Sequence, residues 1–197
     1  MAYSGELLDV SVRQLLEIFA SRDAAPAAGS AAAIVVAIAA GLIGKIARAS
    51  PDWLEAPGIV AQADRLRKRT APLAQSDADA YLEALAALHL PEHLESEVRD
   101  MALGQVLARA AEIPLAIAEA GADVASLAAV AADRGVAERR GEAIGAALLA
   151  ESATRVAAEL VAMNLTVTPD DERVIRARAV AVVASNAARD ALGAGPS

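Results

Sequence analysis

The sequence predicts an all-α protein, a single-domain multi-helix bundle around one central, buried, Ala/Gly-rich helix. Three observations predict it. Apolar residues recur at helical spacing along most of the chain, and no stretch sustains the period-two alternation of a strand. Aromatic residues make up only 2% of the chain, so Ala, Leu and Val must fill the core, which favours closely packed helices over a sandwich or barrel. The run from Ala24 to Gly44 carries no charge and is almost entirely Ala, Gly, Val, Ile and Leu. A helix of that composition has little girth, so neighbours can press close on every side. With 197 residues the chain suits one domain over 1–197.

The elements follow in order. Ser11 and Gln14 form a capping box for a first helix, with Leu15, Leu16, Phe19 and Ala20 on one face. The small-residue helix runs from about Gly29 to Ala49, with Lys45 and Arg48 suited to its negative end. Pro51 and Pro57 mark a break. A long helical pattern then covers Ile59 to Leu88, with Pro72 kinking it near Thr70. After Leu90-Pro91 a helix is expected from about Glu92 to Ala120, interrupted at Pro114. Gly121-Ala122-Asp123 is either a break or a continuation into Val124–Asp133, and Gly135 is a C-cap candidate. Another helix is expected over 141–165. Thr168-Pro169 reads as cap and first residue of the last helix, which ends by Gly193.

Composition narrows the function. Cysteine is absent, which excludes disulfides, thiolate metal sites and a Cys nucleophile, and fits a cytoplasmic protein. The formal charge of -8 points away from nucleic acid. His89 and His93 are the only histidines, with Pro91 between them, so no metal site is expected. The 24–44 run is long enough to span a bilayer. It is dominated by weakly lipophilic Ala and Gly, lacks flanking aromatics and stands alone in an acidic, amphipathic chain, so a buried helix and no membrane are expected. Glu6 and Asp9 argue against a signal peptide.

Landmark order then resembles a known family. Family members follow a short helix with Pro-x-Pro-Gly-Gly-Gly-Ser leading into an Ala-rich helix. Here Pro26-Ala27-Ala28-Gly29-Ser30 keeps the second Pro, the last Gly and the Ser, with two glycines replaced by alanine. The family's Asp-x-x-Ala-Phe/Tyr matches Asp77 to Tyr81, its Leu-Pro matches Leu90-Pro91, and its Val-Pro-Leu matches Ile113-Pro114-Leu115. Set without gaps from Gly135, its Gly-Asn-x-Asn-x-x-Ser-Asp keeps the Gly and places Glu142 where the Asp would be. Its Asn-Val-x-x-Asn falls on Leu160 to Asn164, where Asn164 matches and Leu160 does not. From about Val10 to Leu165 the chain thus resembles the cyclodeaminase/cyclohydrolase family: the C-terminal domain of formiminotransferase-cyclodeaminase and the stand-alone methenyltetrahydrofolate cyclohydrolase.

The resemblance implies a helical homodimer acting on a folate-bound one-carbon unit. It would hydrolyse 5,10-methenyltetrahydrofolate to the 10-formyl form, or cyclise 5-formiminotetrahydrofolate with loss of ammonia. Neither reaction needs a metal or redox cofactor. The scarcity of aromatic filler independently suggests that some helical faces pack against a second copy.

Both reactions pass through a tetrahedral carbon, and a carboxyl whose proton affinity is raised by burial can serve as base or acid. Asp77 is the first catalytic candidate: it lies one turn before Tyr81, so both can face one cavity. A solvated carboxylate beside Asp79 and Glu83 is the ordinary alternative. Glu142 is the second catalytic candidate, against an ordinary first-turn Glu. Asn164 can bind the ligand's edge or cap a helix end. Gly29 and Ser30, at a helix start, can receive an anion, or Ser30 can be a plain N-cap. The run Arg65 to Arg69 can steer an anionic ligand or be a solvated face. Arg139-Arg140 departs from the family pattern and bears on whether its pocket is kept. The alternatives to an active folate enzyme are a folate or small-ligand binder without turnover on the same fold, favoured by the lost polar positions, and a structural helical oligomer.

Overall fold

The computed structural model describes residues 5–88, 96–165 and 170–193. Among them there is no strand. Among the described residues eight helices follow in order: α1 (Val12–Phe19), α2 (Ala28–Arg48), α3 (Ala56–Thr70), α4 (Leu73–Leu88), α5 (Ser96–Ala110), α6 (Glu112–Arg134), α7 (Arg140–Asn164) and α8 (Glu172–Gly193), with a short 3-10 turn at Ala137–Arg139 before α7.

The expected central helix is α2, which packs against α3, α4, α6 and α7. Gly29, Ala33, Ala40 and Gly44 are among its buried positions. These small residues let neighbouring backbones approach, so the core is held by close dispersion contact between helices. Large apolar side chains enter at few points, Ile43, Ile46 and Ile117 among the fully buried ones. The stretches 28–48 and 100–134 are each long and apolar enough to cross a bilayer, but each buries 61% of its most apolar window among the other helices, as core helices do. A second, smaller apolar cluster joins Ala111, Leu115, Val161 and Val174, where α6, α7 and α8 meet.

Local chemistry explains the ends. The Ser11 capping box is complete: Gln14 N–H donates to Ser11 Oγ (3.3 Å), and Ser11 N–H donates to Gln14 Oε1 (3.0 Å). The expected kink at Pro72 is a full break between α3 and α4, because a proline can neither donate to the preceding turn nor fit against its carbonyl. The expected interruption at Pro114 lies earlier, at Ala111, so that Pro114 falls in the first turn of α6, where its missing N–H costs nothing. Gly121-Ala122-Asp123 continues the helix. Gly135 ends α6 but is not left-handed (φ -72°, ψ 165°). It is needed for space, since a Cβ there would press on the Ala131 carbonyl and Ile46. Leu90-Pro91 and Thr168-Pro169 lie outside the described residues. At the start of α8, Asp171 Oδ1 accepts the Arg173 N–H at 2.9 Å.

Candidate active site

The first turn of α2 begins without a cap of its own. Its N-cap residue is Ala27, which has no side chain to accept the exposed N–H groups. The missing acceptor comes from another helix. Asp77, on α4, lies across this turn, and Ser30 Oγ donates to Asp77 Oδ2 at 3.0 Å. The Ser30 backbone N–H donates to the same carboxylate. Gly29 makes the approach possible, because a Cβ on it would overlap the Asp77 carboxyl group. Three residues from two distant segments therefore form one unit.

Burial pushes the Asp77 carboxyl above the ordinary aspartate range, and the side-chain and backbone hydrogen bonds from Ser30 oppose the rise without cancelling it. A carboxyl so placed changes charge closer to neutrality than a solvated one, as acid–base work requires. Asp79, two residues on, faces solvent and accepts from Gln75 Nε2 at 2.9 Å. The two aspartates of one motif thus differ in environment.

Asp77 lines a cavity of about 220 Å³ with Gly29, Tyr81 and Asn164. Ala27 and Ala28 of the α2 entry, Ala80 and Ala84 of α4, Ala110 and Pro114 of the α5–α6 junction, and Leu160 and Met163 of α7 complete the wall. The wall is mostly apolar, with one carboxyl, one phenol and one amide. Tyr81 and Met163 are 42% and 67% exposed, which places them at the mouth. The volume is below the usual range of small-molecule pockets, so it suits a reactive group and the ring beside it, with the rest of a larger ligand over the rim.

Four of the six sequence candidates therefore line one cavity: Gly29, Asp77, Tyr81 and Asn164. Ser30 does not line it. It is fully buried behind Asp77, at the third position of α2 and not at its N-cap. Glu142 stands elsewhere. It is partly exposed beside Lys45 (3.2 Å) and Arg139 (3.0 Å), and the hydrogen bond from Lys45 is the main cause that holds its carboxyl below the usual range. Lys45 lies about 24 Å along α2 from Gly29 at 1.5 Å per residue, so one protomer does not bring Glu142 to the Asp77 cavity. Arg139 is engaged with Glu142 and does not enter the cavity wall. In the basic run, Arg67 reaches Asp64 (4.0 Å) and Arg69 reaches Asp123 (3.7 Å), on a face outside this cavity. Among the described residues no group of three or more His, Asp or Glu side chains could hold a metal. His89 and His93 lie outside them.

Ala84, Ala110 and Met163 of the wall carry no signal in the sequence, whereas Ala27, Ala28, Ala80 and Leu160 are marked there only as positions within the family motifs. Pro114 carried a signal, as part of the Ile113-Pro114-Leu115 match, but its position in the cavity wall depends on how α6 meets α4 and α7.

The fold as a whole is similar to that of a formiminotetrahydrofolate cyclodeaminase from Thermotoga maritima, known from a crystal structure at 2.80 Å resolution. The TM-score is 0.84 at 20% sequence identity, over 95% of this chain and 96% of that one. A comparison with curated proteins gives no significant match. The family model of formiminotransferase-cyclodeaminase matches residues 11–182, which include α1 to α7, the whole described cavity wall and half of α8, and the chain belongs to that family.

Proposed function

We propose that this protein is a folate one-carbon enzyme that cyclises 5-formiminotetrahydrofolate to 5,10-methenyltetrahydrofolate with loss of ammonia, using Asp77 as its acid–base group. The observation that carries the proposal is the half-buried Asp77 carboxyl, raised in proton affinity, in the wall of an apolar cavity within a fold of this family. Ring closure joins a folate nitrogen to the formimino carbon and gives a tetrahedral centre. The nitrogen that leaves must be protonated, and Asp77 in its acid form supplies that proton. The attacking nitrogen loses a proton, which the Asp77 carboxylate can accept. Low polarity in the cavity strengthens the contact between carboxyl and reacting nitrogen. Tyr81 at the mouth and Asn164 in the wall supply polar contacts that orient the ligand.

Hydrolysis of the methenyl compound passes through the same type of centre, with water in place of ammonia. The test therefore uses both substrates. Purified protein is incubated with 5-formiminotetrahydrofolate, and the near-ultraviolet absorbance of the methenyl product is followed against the uncatalysed rate. In parallel, loss of that absorbance is followed from 5,10-methenyltetrahydrofolate. Protein-dependent cyclisation that Asp77→Asn abolishes is the expected result. Acceleration of hydrolysis alone moves the reading to a cyclohydrolase. No acceleration of either reaction overturns catalysis and leaves a binding protein.

The proposal includes a homodimer. Leu148, Leu149 and Val156 on α7, and Val182 and Val183 on α8, are each 40% exposed or more, which supports a second copy on this side. A monodisperse monomer in light scattering at micromolar concentration would count against it.

A further inference from the structure

We infer that Ser30 is a positioning residue, which acts on the ligand through Asp77 by fixing carboxyl Oδ2 against the first turn of α2, and does not itself touch the ligand. This role rests on Asp77 being the acid–base group proposed above.

The other buried hydroxyls set the contrast. Ser50, just past the end of α2, and the helical Thr70 and Thr154 each donate to the carbonyl four residues back: Ser50 to Ile46 (2.9 Å), Thr70 to Leu66 (2.8 Å) and Thr154 to Ala150 (2.7 Å). Ser30 is as buried as they are, but among these four it alone donates to a different helix, at Asp77 Oδ2. Its place explains why. At the third position of α2 the residue four back is Pro26, which precedes the helix. The hydroxyl is therefore available to a neighbour, and Asp77 is held within reach because Gly29 leaves room for it.

The consequence is chemical. A hydroxyl donated to Oδ2 stabilises the carboxylate and directs an added proton to the other oxygen. Burial and Ser30 pull the Asp77 ionisation in opposite directions, so loss of the hydroxyl leaves burial less opposed. The other faces around Asp77 offer little competition. Its own helix presents Tyr81; Asp79 is engaged with Gln75, and Glu83 with Arg109. From α2 come Gly29 and Ser30, and the run 24–44 carries no charge. From α6 comes Pro114, while Glu112 reaches Arg173. From α7 come Leu160, Met163 and Asn164.

The experiment titrates the Asp77 carboxyl directly, by ¹³C NMR of ligand-free protein labelled at aspartate, with the signal assigned from Asp77→Asn. Ser30→Ala is compared with wild type and with Ser30→Cys, whose thiol is a weak donor of similar shape. The Asp77 midpoint rises by about one pH unit in Ser30→Ala and lies between the two in Ser30→Cys. The limb of the kcat/KM profile that Asp77 controls moves upward with it, and KM stays within about twofold, small on the scale of a lost hydrogen bond. An unchanged Asp77 midpoint in folded Ser30→Ala or Ser30→Cys overturns the role. An unchanged midpoint with a raised KM returns Ser30 to direct ligand contact. The titration needs no turnover, so an inactive wild type would remove the proposed reaction while the NMR result still decides what Ser30 does to the carboxyl.

Discussion

Gly29 and Asp77 occupy space that only a glycine allows them to share: a Cβ on Gly29 would fall within the Asp77 carboxyl group. The glycine is not there for an unusual backbone, since among the described residues no glycine has positive φ. It is there for the neighbour. Gly29→Ala must therefore push Asp77 away from Ser30 or push α4 away from α2. The expected result is a loss of about 1–3 kcal/mol of stability from overpacking, with turnover falling at least tenfold as the carboxyl leaves its hydrogen bond. Denaturant unfolding beside the cyclisation assay checks both. Unchanged stability would show that α4 can give way at no cost.

Asp77→Asn separates charge from shape. An asparagine keeps an acceptor for the Ser30 hydroxyl and N–H, so the fold should persist while turnover falls by about 10²–10⁴-fold, the usual worth of general acid–base help.

Stability of the same variant has a defined sign. The folded-state Asp77 ionises at higher pH than in the unfolded chain, so between the two values the folded protein binds more protons. Wild-type stability then falls as pH rises from the ordinary aspartate range through the raised value. Asp77→Asn lacks this contribution, so its stability relative to wild type improves with rising pH across that window. Unfolding free energies at a series of pH values measure the difference. A constant difference would mean that burial does not shift Asp77.

The sequence carried the fold to a greater depth than the site, for physical reasons. Helices were legible because burial of Ala, Val and Ile repeats with the helical period, and the Ser11–Gln14 cap needs only four consecutive residues. Pro72 was legible as a disturbance, but whether a proline kinks or breaks a helix depends on what α3 and α4 pack against. Asp77, Tyr81, Gly29 and Asn164, which line one cavity, are marked in the sequence by their spacing or by family likeness. That Ser30 turns to Asp77, 47 residues away, was not visible, since its local position also fits a cap or an anion site. Glu142 was drawn in by its place in a motif, and Lys45 and Arg139 account for its position as a surface ion pair.

Gly121 and Thr154 test the same small-residue packing away from the cavity. A Cβ on Gly121 would overlap Thr154 Oγ1 and press on Val36. Gly121→Ala alone should cost about 1–3 kcal/mol. Thr154→Ala removes the overlapping hydroxyl along with its bond to Ala150. The double variant should therefore be more stable than the sum of the two single losses predicts, by at least about 0.5 kcal/mol, the usual lower bound for touching residues. Strict additivity in denaturant unfolding would show that Val36, and not Thr154, sets the limit at this crossing.

Arg173 ties the start of α8 to the junction that carries part of the cavity wall. Its Nη1 donates to the Ala108 carbonyl (2.7 Å) and reaches Glu112 (2.9 Å), while Nη2 pairs with Asp171 (2.8 Å). Ala110 and Pro114, on the same junction, line the cavity. Hydrogen bonds from Arg173 hold the Asp171 carboxyl down at about 2. A carboxyl depressed in the folded state contributes stability above its unfolded value, about 4, and loses it as pH falls through that value toward its folded one. Asp171→Asn should accordingly flatten the acid limb of the stability profile between roughly pH 4 and pH 2, with little effect on turnover at neutral pH. Arg173→Met retains much of the stem but frees the Ala108 carbonyl, so KM for the folate substrate should rise as the wall at Ala110 and Pro114 loosens, with kcat changed less because Asp77 and Ser30 are untouched. Paired kinetic and unfolding measurements on the two variants separate the roles: an acid limb unaltered in Asp171→Asn removes the ion pair from the stability account, and an unaltered KM in Arg173→Met shows that the junction keeps its shape without the tie.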